Sequence, residues 1–132
     1  METAMEPIIV MDHEGRILQF NSGAEEKLGY TSGEVVGELL SDTILHSGQK
    51  ASFAEELKLY LETGEWDMLD RRVELKIRRA DGSEFPVEMV LTSLAYNKPP
   101  IFTAYLHDIT EQRRSAEHMS DLAKFPDENP NP

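Results

Sequence analysis

The sequence predicts an α+β domain in which five antiparallel strands are split, two before and three after, by a run of short helices. Three observations carry this. From Val73 to Leu94 (VELKIRRADGSEFPVEMVLTSL) two apolar runs alternate with polar residues at a period of two, the signature of strands with one buried face. Asp81-Gly82 stands between those runs, and glycine accepts the positive φ that a hairpin turn requires. Between residues 21 and 64 the period changes to three and four, punctuated by cap residues and glycines.

Taken in order, Pro7 to Met11 reads as a short buried strand, Asp12 to Gly15 as a turn, and Arg16 to Phe20 as the second arm of a hairpin. Alternation in that arm sets Ile17 and Gln19 against Leu18 and Phe20. Asn21-Ser22 supplies a helix cap, Ala24 and Leu28 a short apolar face, and Gly29 its end. Thr31 with Glu34 has capping-box spacing, with Val35 and Val36 as the apolar content and Gly37 closing the turn. Ser41 to Leu45 suggests a further helical turn. Gln49 to Glu62 carries the longest helical pattern, with Phe53, Leu57, Tyr60 and Leu61 on one stripe and Gly64 at its end. After the central hairpin, Asn97 to Pro100 is a second turn, since two prolines interrupt pairing. Ile101 to Ile109 is the last strand. Thr110 to Ala123 is a closing helix with Thr110 as its N-cap, and its narrow seam of Ala116, Met119, Leu122 and Ala123 suits the start of a coiled coil.

Composition narrows the function. The chain has 132 residues, suited to one domain, and 39% of them are hydrophobic, enough for one core. A net charge of −12 makes nucleic acid and anionic lipid poor partners. No apolar run approaches the ~20 residues of a membrane span, and the first residues lack the pattern of a signal peptide, so a cytoplasmic protein is expected. With no cysteine there is no disulfide, thiolate metal site or cysteine nucleophile. Phosphate-cradling glycine loops, His-Glu-x-x-His and nucleophile elbows are absent, so no enzyme is expected. Glu84 and Glu88 lie about 13 Å apart along one strand face, too far for a carboxylate pair. They are expected to be solvated or paired with Arg71, Arg72 or Lys76.

The stretch from about Pro7 to Thr110 resembles a PAS sensor domain. The resemblance rests on Asp12, Gly15 and Ile17; Asn21 and Ala24 with Leu28-Gly29-Tyr30; Glu34-Val35-Val36-Gly37; Tyr60-Leu61 with Thr63-Gly64-Glu65; Arg79 to Glu88; and Asp108-Ile109-Thr110-Glu111, in the right order. It implies a five-stranded antiparallel sheet of order 2-1-5-4-3, with short helices over one face. The implied organisation is a sensor domain over residues 1–110, an exit or coiled-coil helix over 111–125 and a linker over 126–132. The implied role is sensing or dimerisation within a larger signalling protein, ahead of an effector such as a histidine kinase or nucleotide cyclase.

The chemistries of such domains can be tested at single positions. Flavin photosensors of this family form a bond to a cysteine, which is missing. Haem sensors place a histidine at the position held here by Phe53, which cannot ligate iron. His46 falls in a loop, His13 at a turn and His107 on the last strand, where a hydrogen bond can satisfy it. No cofactor and no metal are therefore expected. What remains is a small apolar ligand or none. The interior is expected to be lined by Leu18, Leu28, Leu40, Ile44, Phe53, Leu57, Val73, Leu75, Val87, Met89 and Phe102. A pocket of that lining would suit an acyl chain or a small aromatic molecule, and a close-packed core is the competing reading. Asp108 and Thr110 are expected to form the relay joint, with Arg78 or Arg79 as the carboxylate's partner. A homodimer is expected through the C-terminal seam and the N-terminal residues.

Overall fold

The computed structural model describes residues 5–94 and 99–117. Its elements, in chain order, are β1 (Ile8–Met11), β2 (Ile17–Phe20), α1 (Ser22–Leu28), α2 (Ser32–Val35), α3 (Leu40–Thr43), a 3₁₀ turn (Ser47–Gln49), α4 (Lys50–Thr63), β3 (Arg72–Arg78), β4 (Glu84–Leu94) and β5 (Ile101–Asp108). Residues 110–117 are helical and form α5. The strands make one antiparallel sheet of order β2-β1-β5-β4-β3, the order that the resemblance implies.

Local chemistry explains most of the elements. The side-chain oxygen of Asn21 accepts from the Ala24 N–H at the start of α1, and Gly29 closes that helix at φ 82°. The same oxygen accepts from the Ile8 N–H, while Asn21 Nδ2 donates to the Glu6 carbonyl, so one residue both caps α1 and ties down the first strand. Gly23 has to be glycine for a related reason: a Cβ there would run into the backbone of Met5 and Glu6. Thr31 and Glu34 form the full capping box of α2. β3 and β4 pair from Arg72↔Val90 to Arg78↔Glu84, and Gly82 at φ 91° turns the chain between them.

The core lies between the sheet and the helices. Alternation in β4 and β5 turns Phe85, Val87, Met89, Leu91, Phe102, Ala104 and Leu106 inward. Phe53, Tyr60, Trp66 and Phe102 form a ring cluster with centroids 5.5–6.0 Å apart, fastening α4 to β5.

Two expectations are corrected here. β2 does not alternate. Its register against β1 jumps from Val10↔Gln19 to Met11↔Ile17 and skips Leu18. That bulge turns both Ile17 and Phe20 inward and leaves Leu18 41% exposed, so Leu18 is not an interior residue. In α4 the buried stripe is Phe53 and Leu57 with Tyr60 beside them, whereas Leu61 is 43% exposed. Of the expected coiled-coil seam, Met119, Leu122 and Ala123 lie outside the described residues, as do the linker and part of the Asn97–Pro100 turn; Ala116 is exposed on α5.

Candidate functional site

Two places on this scaffold bear on function: a recess open to solvent at the start of α4 and the junction where β5 passes into α5. The recess has a volume of about 170 Å³ and lies between the first turns of α4, the loop through Met68, and strands β3 and β4. Of the residues expected inside, Phe53, Val73, Leu75 and Met89 line it. Leu28, Leu40, Ile44, Leu57, Val87 and Phe102 are buried in the core but do not line the recess.

One wall of the recess is polar. Ser52 and Glu56 are four apart on one stripe of α4, and Gln49 stands three residues before Ser52, at the end of the 3₁₀ turn. Gln49 is the residue before α4, yet its side chain makes no capping bond to the helix. A glutamine is one methylene longer than the asparagine that caps α1. Its Oε1 is buried and has no hydrogen-bond partner among the described residues. Glu56 Oε1 accepts from Trp66 Nε1 at 2.7 Å. None of the lining residues is a lysine, arginine or histidine.

At the junction, Asp108 Oδ1 accepts from both the backbone N–H and the hydroxyl of Thr110, at 2.9 and 2.6 Å. Asp108 therefore caps α5, the role expected of Thr110. Its other oxygen accepts from Lys27 Nζ at 3.1 Å. Partial burial by itself would raise the Asp108 carboxyl, but the hydrogen bonds from Thr110 and Lys27 and the lysine's charge outweigh it and hold the group below its ordinary value.

The expected arginine partners are engaged elsewhere. Asp108 faces Val87, whereas Arg78 faces Glu84, three residues further along β4 and one strand away. Arg78 donates to the Asp42 carbonyl, and Arg79 lies 4.0 Å over the Phe85 ring while donating to the Lys27 carbonyl. Lys27 thus meets the hairpin through its backbone and the exit through its side chain.

A second tie to α5 comes from β3. Val73, Glu74 and Leu75 all line the recess, and Glu74 is at the same time exposed on the edge strand. Its carboxylate accepts from Arg113 Nε of α5 at 2.6 Å. Glu84, expected near Arg71, Arg72 or Lys76, instead lies 2.7 Å from His46 Nδ1, and that hydrogen bond lowers its carboxyl. His107 is exposed and sits 3.1 Å from Glu6. Spacing along the chain signalled none of these pairings, because each joins residues 38 or more apart.

The comparisons with known proteins decide the family. A PAS-domain family model matches residues 5–111. The chain belongs to the PAS domain family. Among solved structures, this PAS domain is similar to that of an HTR-like protein from Haloarcula marismortui, at 28% identity and a TM-score of 0.60, covering 82% of this chain and 84% of that one. It also shares the fold of the RpfR quorum-sensing receptor PAS domain from Cronobacter turicensis, seen in complex with C12:0, at 19% identity and a TM-score of 0.65, covering 83% and 98%. In sequence it is 31% identical over 123 residues to a protein of Azorhizobium caulinodans and 28% identical over 124 residues to the cell-division control histidine kinase PdhS of Brucella ovis. Those matches cover 93% and 94% of this chain but only 17% and 12% of the two relatives.

Proposed function

We propose that this PAS domain is the sensory module of a larger signal-transduction protein, taking a small ligand in the recess beneath α4 and passing its presence to a linked effector through α5. The supporting observation is the place of Glu74 on β3. Val73, Glu74 and Leu75 all line the recess, and Glu74 also holds Arg113 on the departing helix. A shift of the edge strand by a bound molecule would pull on α5 at Arg113, while Asp108 and Lys27 fix its first turn. The likeness to PdhS makes a histidine kinase the favoured effector, and any catalysis would reside there. The PAS domain would work in the cytoplasm, as a homodimer. Neither a flavin nor a haem enters this reading, for want of a cysteine and with Phe53 at the haem-ligand position.

The competing reading is a ligand-free dimerisation and relay module. It is favoured by the closeness of the remaining core, in which Leu28, Ile17 and Phe102 are fully buried. Native mass spectrometry of the domain purified gently from cells separates the two. A non-covalent small molecule that co-purifies supports sensing, and the bare mass alone supports the relay module.

A further inference from the structure

The chemistry of the recess goes further than its existence. We infer that it takes a compact apolar amine, of the size of one aromatic ring with a short side chain, whose N–H groups reach Gln49 and Glu56. This rests on the sensory reading above and names its ligand class.

Size is the first argument. An apolar cavity of roughly 150 Å³ accepts benzene. The recess, at about 170 Å³, therefore suits a single ring with a short tail and is too small for a twelve-carbon acyl chain. Phe53, Met68 and Met89 supply the apolar wall for such a ring, two of them through soft, adaptable thioethers.

Polarity is the second argument. A buried acceptor with no partner is uncommon in folded proteins, and it is costly unless something donates to it. Gln49 Oε1 is such an acceptor. Glu56 of α4 lines the same recess, and Trp66 takes only one of its two oxygens. Gln49 thus asks for a donor, and Glu56, exposed to solvent on α4, offers a carboxylate beside it. With Glu56 and Glu74 in the lining, no cationic residue among its described members and a net charge of −12 on the chain, a carboxylate entering there would meet repulsion. An ammonium would find a carboxylate and an amide oxygen, and a ring would find Phe53, Met68 and Met89.

The experiment uses the 132-residue chain and the fluorescence of Trp66, its only tryptophan, whose indole N–H is bonded to the proposed ammonium partner. The probes are 2-phenylethylamine and its carboxylate counterpart, 3-phenylpropionate. The amine is expected to change the emission saturably, with the carboxylate at least about tenfold weaker, as loss of a charge-assisted hydrogen bond implies. Glu56→Gln and Gln49→Leu are each expected to weaken the amine by about tenfold while leaving the amide NMR spectrum of the fold in place. Equal or tighter binding of the carboxylate would overturn the amine class yet leave the sensory reading standing. Silence from both probes at millimolar concentration would also overturn it; if in addition no molecule co-purifies from cells, the sensory reading falls too.

Discussion

The two halves of the interior are built differently. Beneath β1, β2 and β5, the side chains of Ile9, Ile17, Leu28 and Phe102 are 0–1% exposed, and the backbone polar groups around them are knotted by Asn21. Beneath β3 and β4, at the start of α4, a recess of about 170 Å³ stays open and a buried amide oxygen goes unpaired among the described residues. Close packing is the rule inside proteins, so an open, half-polar recess in an otherwise dense core is the part free to answer a ligand. The closed half gives the domain its shape, and the open half adjoins the edge strand that carries Glu74.

Substitutions can test that division, beginning where most is at stake. Phe102→Ala removes a fully buried ring from the four-ring cluster and should cost about 3–5 kcal/mol by urea denaturation. A loss below about 1 kcal/mol would mean that the closed half is not closed. Leu28→Ala and Met89→Ala delete similar volume on the two sides. The first should sit towards the upper end of the ~2–5 kcal/mol range, and the second near its lower end, because the walls of the recess are freer to relax. Equal losses would erase the contrast.

Asp108→Ala should cost about 1 kcal/mol through the lost cap and lysine pair. The sign of its pH dependence follows from the lowered carboxyl. A group whose folded pKa lies below its unfolded value adds stability above the unfolded value, about 4, and loses it as the pH falls through the folded one. The gap between wild type and Asp108→Ala should therefore close as the pH drops below about 4, and a gap that widens there would contradict the pairing. Gln49→Leu should have the smallest effect and the opposite sign. Removing an unpaired buried acceptor should leave stability unchanged or raise it by up to about 1 kcal/mol, measured by thermal denaturation.

Much of the sheet was legible in the residues because its signals are local. The alternation of β3 and β4, the Asp81-Gly82 turn, the Thr31–Glu34 box and the glycines that end α1 and α4 each declare themselves within a few positions. Leu18 misled because a bulge breaks the period of two, and nothing in four residues announces one. The Asp108 partner was misplaced because strand register decides which charges meet, and Lys27 is 81 residues away. The recess was the least legible part. A list of apolar interior residues does not reveal which few fail to close. Nothing in the sequence marked Gln49, read there as the first residue of the long helical pattern, as a polar group without local work.

The most direct test follows the methionine ε-methyl groups by NMR while benzene is added. Met11 lies in the closed half, paired with Ile17 and Phe102, and Met68 and Met89 line the recess. The Met68 and Met89 signals should shift saturably while Met11 stays still. Movement of Met11 as large as theirs, or no movement at all, would contradict an interior with one open half.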